Sequence, residues 1–320
     1  MQNRSLPSLK NKSEKSFHLI QLLLVSLSVF LFSCADETTL KPKTATDLII
    51  EDSNFSTFYA AIKHAEMVDA LKSGNFTVFA PNNEAFENSG YPGVAGITSL
   101  SKDSVRNIIA YHIIPGKILK SDAIVQQENS QYMTQAVDDI YVSRYDSILY
   151  VNGAKIIRSD VNIDNGVLHV IDHVLSPPRK NIFQELFSSP RFSFLTAAIV
   201  RASSPVMNLL NSPTGVYTLF AADNEAFARS GYATVESIEA ENPEKLANLL
   251  QYNIVVGRLF TGSILGDKIT PVKGTNILVT TNNGIKLTGS GNSGQPSLII
   301  EPNQTAKNGV IHVVDRLLLP

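Results

Sequence analysis

The side chains able to do chemistry are few in this sequence, and their spacing suits little chemistry. Its 320 residues include one cysteine, Cys34, and six histidines. A single thiol can form neither an internal disulfide nor a cysteine-rich zinc site. His169 and His173 stand four apart in a β-rich run; a strand would separate their side chains by ~13 Å, so no metal pair is expected. Gly289, Gly291 and Gly294 fit G-x-G-x-x-G. They lead through Gln295-Pro296 into a β run, not into the helix N-terminus that would face a pyrophosphate, and read as a flexible hairpin loop. Asp160, Asn162 and Asp164 begin like a calcium loop, but Asn165 stands where the turn glycine belongs and the distal bidentate Glu is missing, which leaves at most weak, incidental binding. There is no Gly-x-Ser-x-Gly elbow, and no nucleophile, base and orienter fall together. The expectation is a non-enzyme with no catalytic residue, metal or cofactor. A net charge of −2 offers no field for a phosphate backbone, so nucleic acid is not expected as a partner.

The elements that position these residues come as two copies. The stretch 79–91 aligns with 220–232 at an offset of 141, nine of thirteen residues identical, and 165–172 aligns with 308–315 at an offset of 143. A unit of ~140 residues is a domain duplication and not a solenoid, whose repeats run ~20–50. Phe55, Phe58, Ile62 and Ala65 have helical spacing, with Gly74 as the stop signal before a β run at 76–79. Asn82 or Asn83 can cap a short helix starting at Glu84. A further helix buries Val105, Ile108, Ile109 and His112; its second copy buries Leu246, Leu249, Leu250 and Asn253, capped by Asn242 with Pro243 in the first turn. Strands are expected at 141–142, 148–151, 155–157 and 167–174, then at 277–279, 285–287, 298–300 and 310–318, with Asn-Gly turns at Asn152, Asn165, Asn283 and Asn308. Helices gathered ahead of strands imply α+β architecture and not a parallel sheet. Pro177-Pro178 makes a junction short enough for the domains to touch.

These residues carry a resemblance. Thr77-Val78-Phe79-Ala80-Pro81-Asn82-Asn83-Glu84-Ala85-Phe86, then Tyr111-His112, then Asn165-Gly166-Val167-Leu168-His169-Val170-Ile171-Asp172 resemble the first box, the Tyr-His motif and the second box of the fasciclin (FAS1) domain. Phe220, Asn224, Phe227, His312 and Asp315 repeat the motif positions Phe79, Asn83, Phe86, His169 and Asp172, while Ala222 replaces Pro81 and Asn253 replaces His112. The resemblance implies two FAS1 domains, 47–176 and 181–320, joined by a short Pro-containing linker, 177–180. Each would be a sandwich-like wedge of two β-sheets with a cluster of helices, of a kind found in extracellular proteins that bind matrix, partner proteins or glycans. Tyr111, His112, Tyr252 and Asn253 are the candidate binding residues. The two tyrosines are expected at a rim, where an aromatic body with a polar tip suits binding. His112 lies on an apolar stripe, which favours a hydrogen-bonded structural role, and His169 and His312 are expected half-buried in strands.

The N-terminus reads as an address. Arg4, Lys10, Lys12 and Lys15 precede a fourteen-residue apolar run, 19–32, about 21 Å as a helix and short of the ~30 Å hydrocarbon core, so 1–33 is expected to be a signal peptide. Leu31-Phe32-Ser33-Cys34 resembles a bacterial lipobox, with Phe32 departing from its middle position. Asp36-Glu37 resembles the acidic signal of Bacteroidetes-type surface lipoproteins. Lipidation of Cys34 and a polar tether, 34–46, would place the chain on the outer membrane, facing outward. The alternative is a carbohydrate-capture lipoprotein beside an outer-membrane glycan importer, with Tyr132, Tyr141, Tyr145 and Tyr150 stacking on sugars or serving as ordinary strand residues. No Arg-Gly-Asp tripeptide is present.

Overall fold

The computed structural model describes residues 43–116, 129–266, 268–292 and 294–320; Cys34, the leader and most of the tether lie outside them. The first copy runs α1 (Ala45–Glu51), α2 (Ser56–His64), β1 (Phe76–Pro81), α3 (Asn83–Asn88), α4 (Gly93–Thr98), α5 (Lys102–Tyr111) and β2 (Ile113–Pro115). Then come β3 (Ser130–Met133), β4 (Asp139–Tyr145), β5 (Ile148–Val151), β6 (Ala154–Ile163) and β7 (Gly166–Ile171). The second copy opens with α6 (Ile182–Phe187), α7 (Ser193–Ala202) and α8 (Ser204–Leu210), then β8 (Tyr217–Ala222), α9 (Asn224–Arg229), α10 (Val235–Glu239), α11 (Pro243–Tyr252) and β9 (Ile254–Val256). It closes with α12 (Thr261–Ile264), β10 (Lys268–Ile269), β11 (Ile277–Thr280), β12 (Lys286–Thr288), β13 (Ser297–Ala306) and β14 (Gly309–Val314). Among the described residues no helix is long and apolar enough to cross a membrane.

Helix boundaries follow from where backbone donors and acceptors find partners. The stripe Phe55, Phe58, Ile62 and Ala65 is buried. The helix, however, ends at His64, ten residues before Gly74. Glu66 there takes a positive φ of 54°, and the Arg106 guanidinium reaches from α5 to donate twice to the carbonyl of Ala65, at 3.1 and 3.0 Å. A cation satisfying the free carbonyls at a C-terminus is a stop signal that local sequence does not display. Gly74 instead serves the turn into β1, at φ 111°.

The sheets are seven-stranded, ordered β2-β1-β7-β6-β5-β4-β3 and β10-β11-β12-β13-β14-β8-β9. The α+β class holds, with one correction: β1 pairs with β7, and β8 with β14, in parallel, inside otherwise antiparallel sheets. This parallel pair joins the first strand of each copy to its last, a contact across ~90 residues that no local signal announces. The long strand β6 turns the sheet into a wedge. Its first residues pair with β5, its later ones with β7, and bulges fall between Ile156, Arg158 and Val161. Bulges bend a strand, and Phe79, Ile171, Ile140, Val142 and Leu149 gather between the two arms while Val78, Leu168 and Val170 face the helices. β7 and β14 are therefore buried along their whole length on both faces.

The parallel contact demands glycine at one point. A Cβ on Gly166 would lie 1.8 Å from the Phe76 carbonyl oxygen, and on Gly309 the same 1.8 Å from that of Tyr217. Gly166→Ala is expected to lower the stability of the first copy by on the order of 3 kcal/mol or more in denaturant titration, since both backbone strain and a clash are forced. Gly90→Ala, at φ 78° with open space around its Cβ, should cost only about 1 kcal/mol.

Candidate functional site

The first box works as a set of caps. Asn82 accepts a bond from Ala85 N at 2.8 Å and starts α3, and Asp223 does the same for Ala226 N at 2.9 Å. Asn83 reaches elsewhere: its Oδ1 accepts from Thr57 N at 3.0 Å and its Nδ2 donates to Ser53 O at 2.9 Å. Phe55, at the N-cap of α2, has no capping side chain, so Asn83 caps α2 from another helix. Asn224 repeats this with Phe194 N and Pro190 O, at 3.0 and 3.2 Å. Phe86 and Phe227 are buried beneath these caps. Pro81 and Ala222 both end their strands, so the cap that follows, and not the proline ring, supplies the stop.

The Tyr-His motif lies in the interior, which corrects the expected rim. Tyr111 and Tyr252 are at most 1 % exposed. Tyr111 OH donates to Asp139 O at 2.7 Å and accepts from Asn152 Nδ2 at 2.9 Å, and burial pushes its phenol well above the ordinary range. Tyr252 is covered by the loop that carries Gly289 and Gly291. That loop packs inward through Asn292, which is buried, accepts from Gly289 N at 2.9 Å and donates to Leu317 O at 3.3 Å. Because both rings point inward, neither can offer a polar tip to a ligand. His112 is also buried, with Nδ1 2.8 Å from Ile108 O and Nε2 accepting from Leu175 N at 2.9 Å. A carbonyl can only accept, so Nδ1 carries the proton and the ring is neutral. Asn253 makes the same two contacts: its Nδ2 donates to Leu249 O at 2.8 Å, and its Oδ1 accepts from Leu318 N at 3.1 Å. A neutral His and an Asn thus perform one task, tying the end of a helix to the segment after the last strand.

The second box completes the enclosure. Asn165 Oδ1 accepts from Ala45 N at 3.1 Å, its Nδ2 donates to Leu71 O at 2.8 Å, and its carbonyl accepts from Phe76 N at 3.0 Å; Asn308 makes the corresponding bonds with Ile182, Leu210 and Tyr217. His169 and His312 are buried, not half-buried, because both faces of their strands are covered. They stack on Phe79 and Phe220 at 5.4 and 5.6 Å between centroids and accept at Nδ1 from Asp160 N and Asn303 N, at 3.2 and 3.3 Å. His312 Nε2 lies 2.8 Å from Leu259 O, which makes it the donor there. Asp172 and Asp315 accept from Lys155 N and Leu298 N, both at 2.7 Å, and close the start of the neighbouring strand. His173 pairs with Asp172 at 2.9 Å, a bond that raises its pKa. Among the described residues no group of three or more His, Cys, Asp or Glu side chains is placed to hold a metal ion.

The two copies meet along a seam. The segment after β9 lies on β4 and β5: the Arg258 guanidinium sits 4.7 Å over the Tyr141 ring, Phe260 is 6.1 Å from the same ring, and Asn129 Nδ2 donates to Arg258 O at 2.8 Å. Arg258 also donates to the carbonyls of Ala306, Gly309 and Lys307, at 2.9, 2.6 and 3.0 Å. A Cβ on Gly262 would sit 2.7 Å from Tyr150 Cδ2, so glycine permits the approach. Thr305 Oγ1 donates to Ser176 O at 2.7 Å, and Lys307 N to Lys180 O at 2.9 Å, which pins the linker. Tyr141 and Tyr150 therefore serve the seam, Tyr132 packs against a core cluster, and Tyr145 is exposed at 42 %. Beside the seam both copies line a cleft of about 1200 Å³.

The Fasciclin domain family matches residues 53–177 and again 190–320. The chain belongs to the fasciclin family. Transforming growth factor-beta-induced protein ig-h3 of Sus scrofa is 31% identical over 251 residues, 77% of this chain and 35% of that protein, so the chain spans about a third of that relative's length. Protein sll1483 of Synechocystis is 37% identical over 140 residues, 42% of this chain and 74% of that protein. Among solved structures, a FAS1 domain pair from the insect cell adhesion molecule Fasciclin I matches with a TM-score of 0.40 and 21% identity, over 84% of this chain and 98% of that one. In this tandem fasciclin chain the polar motif side chains are hydrogen-bonded inside each domain, and the groups missed by sequence reasoning, Arg258, Gly262, Asn152 and Asn303, build the seam and its surroundings. Asn152 was legible only as an Asn-Gly turn; nothing local marks Arg258.

Two tests follow from this arrangement. Burial pulls His112 and His312 down to about 4, against ~6.5 for an unfolded imidazole. The unfolded chain gains its protons first on acidification. The stabilisation is thus complete above about pH 6.5 and is lost as pH falls toward 4, on the order of 3 kcal/mol per ring. His112→Asn should flatten this loss for the first domain and stay folded, whereas His112→Leu should unfold at lower denaturant at every pH. Urea titrations from pH 4 to 7 measure both. Arg258→Ala removes a cation–π contact worth about 1 kcal/mol and three carbonyl bonds, and should raise the radius of gyration in small-angle scattering without loss of circular dichroism; an unchanged profile would show the seam does not need it.

Proposed function

We propose that this chain is a lipid-anchored cell-surface protein whose two fasciclin domains act as one adhesive unit, binding extracellular proteins or glycans without a catalytic step. Fasciclin domains are found in cell-adhesion and extracellular-matrix proteins. The observation that carries the reading is the combination of a seam-locked domain pair with the lone Cys34 in a lipobox-like context behind an apolar run. Two or more acyl chains give stable anchoring at ~0.8 kcal/mol per buried CH₂. The motif histidines support a non-catalytic role: His112 and His312 are neutral, buried and committed to backbone partners at both nitrogens, so neither can reach a substrate as a general base. A second reading, carbohydrate capture beside an outer-membrane glycan importer, draws support from the cleft at the seam.

Cys34→Ser is the direct test of the anchor. It should abolish incorporation of labelled fatty acid and move the protein from the membrane to the soluble fraction, and protease shaving of intact cells should remove the wild-type domains. Retention on the membrane by the Ser variant would sink the anchor. Cell adhesion left intact after deletion of 47–320 would sink the adhesive role.

A further inference from the structure

The cleft beside the seam has a volume of about 1200 Å³, above the ~300–1,000 Å³ usual for compact small-molecule pockets, so it suits an extended ligand. Tyr91 and Tyr150 line it from the first domain, Arg179 from the linker, and Glu185 and Gln304 from the second. Because the seam and the pinned linker fix both walls, the cleft is a built feature of the pair.

Its chemistry narrows the ligand. Most charge around it is already used: Glu301 accepts two bonds from Arg191, both at 2.8 Å, and one from Gln304 at 3.0 Å, while His173 is held by Asp172. Arg179 and Glu185 remain, one of each sign, with no ion-pair partner among the described residues. That balance disfavours a phosphate polymer or a strongly acidic chain, which would need several unpaired cations. An extended peptide would gain most of its affinity by adding a strand to an open sheet edge. Where β13 lines the cleft, from Glu301 to Thr305, it pairs with β14 and not with β12; Pro302 there has no N–H and bulges break the register, so this edge offers no regular ladder to an added strand. What the walls do present is two half-buried tyrosines whose hydroxyls have no protein partner among the described residues, an amide, a guanidinium and a carboxylate. Aromatic rings beside paired donors and acceptors suit a ligand with apolar ring faces and many hydroxyls.

We propose that the interdomain cleft binds a neutral oligosaccharide, with Tyr91, Tyr150, Arg179 and Glu185 as its contacts. The inference rests on the reading of the pair as a binding unit and names one ligand class for it.

The test uses the full chain in detergent micelles, titrated by calorimetry with neutral hexasaccharides (gluco-, manno- and galacto-oligomers), an acidic oligogalacturonate and an extended polar peptide. The expected result is binding of at least one neutral oligomer. The double variant Tyr91→Phe/Tyr150→Phe, which removes only hydroxyls that no protein group holds, should weaken it about tenfold with an unchanged melting temperature, and Glu185→Gln should weaken it independently. Binding of the acidic oligomer or the peptide alone, no binding by any neutral oligomer, or neutral binding untouched by these variants would each overturn the proposal. Cell adhesion measured with the same variants separates the two ideas: adhesion that persists without glycan binding leaves the adhesive role standing and removes only the cleft's ligand.

Discussion

A parallel strand pair covered on both faces has no water at its ends, and every polar group where the chain enters or leaves it must be satisfied by protein. That constraint organises both domains. Asn165 and Gly166 let the chain enter β7 against β1, the amide holding two backbone groups and the glycine permitting contact with Phe76. Asp172 and His112 hold the chain as it leaves. His169 caps the bulge of β6 from beneath, through Asp160 N. The three sequence motifs, far apart in the chain, are the two ends and the flank of one buried ladder, and Asn308, Asp315, Asn253 and His312 rebuild it in the second domain.

The exchange of His112 for Asn253 shows what the position requires. Both side chains give one proton to a carbonyl one turn back and take one from an amide beyond the last strand. Charge would be a liability at this site, since an imidazolium has no acceptor to offer Leu175 N. The shared requirement is a neutral donor and acceptor in fixed geometry, which is the work of architecture and not of acid–base chemistry.

Features resting on short-range signals were legible in the sequence. The repeat, the stripe of Val105, Ile108 and Ile109, the Asn242-Pro243 start and the Asn152-Gly153 turn all stand where spacing and turn chemistry put them. Features decided by distant partners were not. The end of α2 depends on Arg106, which reaches back 41 residues to Ala65, and its start depends on Asn83 in another helix. The parallel pairing of β1 with β7 and the inward turn of Tyr111 depend on which layers cover them, which periodicity along one strand or helix does not encode. The seam was foreshadowed only by the short Pro177-Pro178 junction, because Arg258 acquires its role from Tyr141 in the other domain.

The central claim is that the Tyr-His motif is internal scaffolding held by a neutral imidazole. Nitrogen-15 NMR of the histidine rings measures this most directly. The account predicts that His112 is neutral at pH 5.5, with its proton on Nδ1, and that His312 is neutral with its proton on Nε2. A protonated His112 at that pH, or a proton on its Nε2, would contradict the hydrogen bond from Leu175 and with it the structural role assigned to the motif.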